Sequence, residues 1–420
     1  RTRRLKIFAW LKPADREKKN MSAHGEWKEV RNPGPFQFPG TVKTVFLIFL
    51  VVGIASFGGG LALERKRAWF SFLQGHFYFL SLALGGLFFA AVQWLTSAMW
   101  SAPVRRISES FTAYLPIVFI TTIALYFGLH DLYIWTDPAH VRGDAILEHK
   151  AGYLNATFFL VRNLVAVAIW VFFARKFVGN SLRQDLTKDA RLTLSNRSWS
   201  PAFLILFGIT YTMAAFDQLM SLDPHWFSTM FGVYCFAGMF YITLAAIAIV
   251  TIYLRRQGAL QGIVNENHLH DLGKFMFAFS VFYAYIAFSQ FMLIWYANLP
   301  EETGYFLRRM NGSWMWITVF LLIGKFLVPF IWLLPREAKR DEKTLVRVGI
   351  WMLIAHWVDI FWLVGPEFSA QAPQLGWIEI GTSLGFLGVF GLVVTRFLSR
   401  NNVLAIGDPR LAESVHGHHQ

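Results

Sequence analysis

Long apolar runs constrain this sequence more than any other feature. About 20 apolar residues in an α-helix cross a bilayer core about 30 Å thick, and the chain contains roughly ten runs of that length. None of them alternates apolar and polar residues as the strands of an outer-membrane barrel do. The predicted helices cover residues 41–62, 69–96, 108–129, 153–174, 201–222, 227–254, 271–298, 311–334, 345–365 and 377–398. The sequence therefore predicts an all-α integral membrane protein with about ten transmembrane helices.

Basic residues are distributed unevenly between the two ends of these helices. Of the 39 Lys and Arg, 27 fall on the side that carries the N-terminal segment, the even-numbered loops and the C-terminal tail, and seven fall on the other. We call these the terminal side and the opposite side. Because Lys and Arg accumulate in cytoplasmic loops, both termini are predicted to be cytoplasmic. Topology thus explains the net charge of +13 without a nucleic-acid partner, although basic arms that bind anionic lipid or another subunit are an alternative.

The two halves of the chain share short motifs in the same order, which indicates a parallel repeat of helices two to five in helices six to nine. The matched motifs are Trp69-Phe70-Ser71 with Trp226-Phe227-Ser228, Tyr133-Ile134-Trp135 with Leu293-Ile294-Trp295, Arg162 with Lys325, and Asp217 before Pro224 with Asp359 before Pro366. Two four-helix bundles with a flanking helix at each end are predicted. The boundaries are a basic N-terminal segment (1–40), a first helix (41–66), the bundles (67–224 and 225–366), a tenth helix (367–400) and a tail (401–420).

Ionisable side chains inside the predicted helices need a partner, water or a function, because each costs about 2.5–3.5 kcal/mol on insertion scales. Arg162 and Lys325 lie near the middle of equivalent helices, and Asp217 and Asp359 lie in the outer third of theirs. Glu109 is predicted near the surface at the start of helix three. Ordered by predicted depth, the second bundle holds a ladder of Asp271 and Lys274, then Lys325, then His356, then Asp359.

This ladder has two interpretations. Proton transfer across a bilayer needs titratable groups within one or two water molecules of each other, and all eight ionisable residues above are candidates for such a route. Alternatively, Arg162 with Asp217 and Lys325 with Asp359 are static ion pairs that fix helix register. If one bundle conducts protons, we expect the second, because a desolvated lysine can release its proton and an arginine keeps it.

A quinone site is the second candidate function. His76, Tyr78 and Asp217 are predicted in the outer half of the first bundle, where their polar groups could bind quinone oxygens among aromatic residues. The alternative is a histidine hydrogen-bonded to a neighbouring helix.

No metal, haem or iron–sulfur site is predicted in this chain. Cys235 is the only cysteine, which excludes a cluster held by four thiolates. His76 and His356 belong to different bundles, which disfavours a haem. The tail histidines His416, His418 and His419 are interpreted as solvated.

Two long stretches resemble a known family. The stretch at 268–303 begins His268-Leu-His-Asp-Leu-Gly-Lys, and the stretch at 217–229 begins Asp217-Gln-Leu-Met-Ser-Leu-Asp-Pro. They are similar to the seventh helix, and to the join between the fifth and sixth helices, of the shorter NrfD-like (ActF-type, polysulfide-reductase-like) membrane subunit of bacterial alternative complex III. Length and helix count agree with that subunit over essentially the whole chain.

The resemblance implies a subunit of a quinol:acceptor oxidoreductase in the bacterial inner membrane. Its implied partners are a longer NrfD-like subunit, an iron–sulfur subunit and c-type cytochromes, which hold the haem and iron–sulfur cofactors. A scaffold role with a transmembrane proton pathway is expected, and a subunit with its own quinone or menaquinone site is the alternative. A self-standing secondary transporter is a second alternative, although no Gly or Pro interrupts the two halves at matching mid-membrane positions.

Overall fold

The computed structural model describes residues 30–417. Ten helices in this range are long and apolar enough to cross a membrane, and the same range contains no β-strand beyond one isolated bridge. The ten are α1 (Gly40–Leu63), α2 (Arg65–Thr96), α3 (Ala102–Tyr126), α4 (Ala156–Thr187), α5 (Ala190–Leu222), α6 (Phe231–Arg256), α7 (Glu266–Ala297), α8 (Trp314–Leu333), α9 (Glu342–Phe368) and α10 (Trp377–Arg400). The chain is thus an all-α, multi-pass membrane protein, as predicted.

Helices α4 and α5 are longer than predicted. Apolar runs placed a long loop at 175–200, whereas only two residues separate the two helices. The basic residues of that segment disfavour the bilayer core but not a helix, so both helices continue beyond the apolar zone. Lys188 has a φ of 55° at the turn, and the Asp189 side chain accepts a hydrogen bond from the Arg191 N–H at 2.9 Å, which starts α5.

The eight central helices form two rings with the same connectivity. In the first ring, α2 and α4 each contact both α3 and α5. In the second, α6 and α8 each contact both α7 and α9. The rings join through α2 and α6, the most buried helices, with further contacts of α5 to α6 and of α9 to α2. This confirms the predicted pair of four-helix bundles.

Helices α1 and α10 do not flank the two bundles separately. They pair along their length and pack together on α2 of the first bundle, and α10 also contacts α3. Within the described residues, additional helices therefore cover less of the outer surface of the second bundle than of the first.

The two described ends of the chain meet on the terminal side. Pro35 forms an antiparallel bridge with Asn402, and the Phe36 N–H donates to the Leu398 carbonyl at 3.0 Å. On the opposite side, a short helix (Pro300–Met310) connects α7 to α8. This helix covers the outer end of the second bundle, where the candidate site lies.

Candidate functional site

Three ionisable side chains and two tyrosines meet inside the second bundle. Lys325 Nζ lies 2.5 Å from Asp359 Oδ2 and 2.8 Å from His356 Nδ1. The hydroxyls of Tyr234 and Tyr283 both bond to the other carboxylate oxygen, Oδ1, with Tyr283 at 3.0 Å, and lie 2.7 Å from each other. None of the five residues is more than 5% exposed. We call these five residues the lysine cluster.

An irregular stretch of α8 positions Lys325. Residues Leu321–Leu327 form a π-helix, a conformation that often occurs at functional sites. Pro329 has no N–H, so the carbonyl of Lys325 loses its usual helical partner. The Tyr241 hydroxyl replaces that partner at 3.0 Å. The backbone of Lys325 is thereby satisfied although the helix is distorted at this point.

His356 reaches Lys325 because α6 has a glycine beside it. A Cβ at Gly238 would lie 2.4 Å from His356 Cε1, so the ring occupies the space that a side chain would need. His356 precedes Asp359 by one turn on α9, and its Nδ1 lies 3.3 Å from Asp359 Oδ2. The other ring nitrogen, Nε2, is buried and has no hydrogen-bond partner among the described residues.

The first bundle contains a simpler ion pair at the equivalent position. Arg162 binds both oxygens of Asp217, each at 3.0 Å, in the bidentate geometry that favours arginine. Asn163 donates to the same carboxylate at 3.2 Å, and Gln218 donates to Asn163 at 2.8 Å. The Tyr153 ring lies 3.7 Å from the guanidinium carbon. Fixed donors therefore surround Asp217.

The repeat motifs show what differs between the two bundles. The motifs at Trp69, Tyr133 and Asp217 are each matched with a motif in the second half of the chain. When the two halves are aligned on these motifs, three apolar residues of the first half fall opposite three polar members of the lysine cluster. These alignments are Phe77 with Tyr234, Ile123 with Tyr283, and Ala214 with His356. Exchangeable protons beyond the ion pair are therefore found at these positions only in the second bundle.

The structure confirms the two predicted ion pairs and corrects the order of the ladder. Lys325, His356 and Asp359 were predicted as successive steps, but Lys325 contacts both of the other two side chains, so the three form one cluster. Asp271 and Lys274 pair with each other at 2.7 Å, with the Lys274 side chain 54% exposed. Lys274 precedes Tyr283 by nine residues, about 14 Å of helix. No hydrogen bond among the described residues joins this terminal-side pair to the cluster.

Glu109 was predicted near the membrane surface at the start of helix three, and its side chain is fully buried among other side chains of the protein. Its carboxylate lies 3.4 Å from each of Arg105 and Arg106 and accepts a hydrogen bond from Ser181 at 2.9 Å. Helix α3 begins at Ala102, six residues earlier than predicted, so Glu109 lies about two turns inside the helix. Glu109 thus belongs to a separate arginine–carboxylate network on the terminal side.

The structure does not bring His76, Tyr78 and Asp217 into one hydrogen-bonded site. His76 Nδ1 lies 2.8 Å from the Thr121 hydroxyl, and Tyr78 donates to the Leu353 carbonyl at 2.9 Å. Asp217 is bound by Arg162, as described above. Each of the three side chains therefore has a different hydrogen-bond partner.

Sequence reasoning missed the two tyrosines of the cluster and a cavity beside them. The cavity has a volume of about 360 Å³, and Tyr234 and Tyr283 form part of its wall. One signal was available: Gln290, which also lines the cavity, follows Tyr283 by two turns on the same face of α7.

Within residues 30–417, no three His, Cys, Asp or Glu side chains are arranged to hold a metal ion. Cys235 is buried and free. Among the tail histidines, His418 and His419 lie outside the described residues. Neither a protein-family model nor a curated protein sequence matches the chain.

Proposed function

We propose that this chain is a membrane subunit of a quinol:acceptor oxidoreductase of the alternative complex III type, and that its second bundle transfers protons. The lysine cluster is the observation that carries the proposal. It places a lysine, a carboxylate, a histidine and two phenols within direct hydrogen-bond distance in the membrane interior. Side chains of these types exchange protons when they are correctly positioned, and ionisable residues inside membranes often belong to proton relays.

The contrast between the bundles favours this role over a purely static ion pair. Arg162 and Asp217 satisfy each other with the help of amides and of Tyr153, so a structural pair needs no histidine. The second bundle has lysine in place of arginine, and lysine is the cation that can lose its proton when desolvated. The additional groups at Lys325 therefore support proton transfer over a role in helix register alone.

The cellular setting follows from the family resemblance and the charge distribution. The bacterial inner membrane is proposed as the location, with the terminal side in the cytoplasm because 27 Lys and Arg lie there against seven on the other side. A longer NrfD-like subunit, an iron–sulfur subunit and c-type cytochromes are the proposed partners. A transporter with broken helices in both halves is less well supported, since α4 is continuous where α8 is π-helical.

The first part of the test identifies partners. An affinity-tagged chain is solubilised gently from its own host, and the co-purifying chains are identified by mass spectrometry. We expect iron–sulfur and cytochrome subunits together with quinol oxidation by the purified complex. A tagged chain that is purified intact from the membrane without redox subunits would contradict the proposal.

The second part measures protons translocated per electron in reconstituted vesicles. Asp359→Asn keeps the shape of the carboxylate and one acceptor oxygen but cannot titrate, so we expect quinol oxidation with a lower proton-to-electron ratio. Asp217→Asn is the matched control in the first bundle and should keep the full ratio. If both Asp359→Asn and Lys325→Met assemble and keep the wild-type ratio, the lysine cluster is a static ion pair.

A further inference from the structure

A cavity of about 360 Å³ opens beside the lysine cluster, between α7, α8 and the short helix Pro300–Met310. Phe288 of α7 and Leu322 of α8 line it and are each 61% exposed on the face that a bilayer would cover. Its volume falls in the range of about 300–1,000 Å³ found for small-molecule sites. A ligand dissolved in the membrane could therefore enter it sideways.

The inner end of the cavity is polar. Tyr234 and Tyr283 line it and connect it directly to Asp359. Gln290 also lines the cavity and is only 6% exposed, and its Oε1 has no hydrogen-bond partner among the described residues. A buried amide oxygen without a donor is costly, so this group indicates a ligand that supplies one.

The short helix forms the outer wall of the cavity, and hydrogen bonds hold it in place. Phe306 of the short helix lines the cavity, and the neighbouring Arg309 is fully buried. Arg309 donates to the carbonyls of Leu363 at 2.9 Å and Trp362 at 3.3 Å. Pro366 cannot donate to the Trp362 carbonyl, and Arg309 takes the place of the missing N–H. The cavity is thus preformed and does not depend on a mobile cover.

We infer that this cavity binds the headgroup of a quinol, a lipid-soluble ring with hydroxyl donors. One hydroxyl would donate to Gln290 Oε1, while the ring packs against aromatic walls that include Phe291 and Trp362. A phospholipid acyl chain fits apolar walls but supplies no donor. The inference rests on the proposed function for its ligand class and places the site in the second bundle, away from His76 and Asp217.

Photolabelling of the purified complex tests this inference. An azido-quinone is bound, activated by light and mapped to peptides by mass spectrometry. We expect labels on α7 and α8 that unlabelled quinol removes. Ala284→Phe fills the cavity and should reduce labelling at least tenfold. Ala278→Phe makes the same change on an exposed position of α7 outside the cavity and should leave labelling unchanged.

Gln290→Leu gives a second variant that preserves the cavity walls. The variant loses one hydrogen bond to the ligand, so about three- to tenfold more unlabelled quinol should be needed to remove the labels. The inference is overturned if Ala284→Phe and Gln290→Leu label like the wild type, if labels map around His76, or if phospholipid competes as well as quinol.

The two proposals fail separately. If the complex oxidises quinol and Asp359→Asn lowers the proton ratio while α7 and α8 stay unlabelled, this inference is wrong and the proposed function stands. If the labels appear on α7 and α8 but no redox subunit co-purifies, the proposed function is wrong and the cavity site stands.

Discussion

At the scale of single residues, the choice between lysine and arginine distinguishes the two bundles. Arg162 forms two parallel hydrogen bonds to Asp217, and its planar guanidinium keeps its proton. Lys325 presents one nitrogen, which contacts both Asp359 and His356. The lysine is therefore hydrogen-bonded to two other ionisable groups, while the arginine makes a bidentate contact with one carboxylate.

Removal of Lys325 alone should be more damaging than neutralising the whole pair. Lys325→Met leaves the Asp359 carboxylate buried without its cation, which we expect to lower the free energy of unfolding by about 3–5 kcal/mol. The double variant Lys325→Met/Asp359→Asn is neutral and keeps hydrogen-bond partners for Tyr234 and Tyr283, so it should recover at least half of that loss. Denaturation in detergent measures the free energy of unfolding of both variants. Equal losses in the single and the double variant would show that Lys325 and Asp359 do not stabilise each other.

At the scale of elements, close helix contact explains why α1 and α10 pair with each other. A Cβ at Gly53 of α1 would lie 2.1 Å from the Cα of Gly385 of α10. Gly381 and Gly385 lie four residues apart, the small-residue spacing that lets membrane helices approach closely. A Cβ at Gly381 would lie 2.0 Å from the Ser56 hydroxyl. The glycine face of α10 therefore selects α1 as its partner.

A methyl group at this contact should separate the two helices. Gly53→Ala meets backbone and not a flexible side chain, so we expect a loss of about 2 kcal/mol or more in the free energy of unfolding, in the range of overpacked cores. Gly58→Ala on the same helix has nothing within 4 Å of the added Cβ and should be neutral or slightly stabilising. Thermal unfolding in detergent compares them, and identical melting temperatures would refute close packing at Gly53.

At the scale of the whole molecule, the C-terminal tail connects both bundles on the terminal side. Asp408 forms an ion pair with Arg105 of α3, and the Gly407 N–H donates to Asp185 of α4 at 3.1 Å. Further along, the Ser414 hydroxyl lies 3.1 Å from His268 of α7. One short segment thus links α3 and α4 of the first ring to α7 of the second.

The attachment of the tail should depend on pH through Asp408. Burial raises the pKa of its carboxyl, but the charge of Arg105 and the hydrogen bond from the Arg410 N–H lower it more, so the pKa lies below its ordinary value. The stabilisation is complete above the unfolded pKa of about 4 and is lost as the pH falls through the lower folded value.

Asp408→Asn should therefore lower stability by about 2 kcal/mol at neutral pH. We expect the difference from the wild type to stay constant between about pH 8 and 5 and to shrink below about pH 4. Melting temperatures across this range measure it, with limited proteolysis of the tail as a second readout. A difference that persists undiminished into strong acid would mean that the charge of Asp408 does not hold the tail.

The sequence by itself determined the number of helices, the duplicated bundles and the presence of charged residues inside them that need partners, because each depends on local quantities. Run length and the cost of buried charge do not require knowledge of how one helix is rotated against another. The same reasoning gave wrong ends for α3, α4 and α5, since an apolar run marks the bilayer core and not the end of a helix.

Only the tertiary structure decided which groups meet. Tyr234 and Tyr283 come from different helices and are two of 13 tyrosines in an apolar chain, so nothing local marks them as neighbours of Asp359. The depth of Lys325 depends on the π-helical stretch around it, and the cavity at Gln290 depends on where the short helix after α7 is anchored. These features arise from the rotation and spacing of packed helices, which a pattern along one chain does not specify.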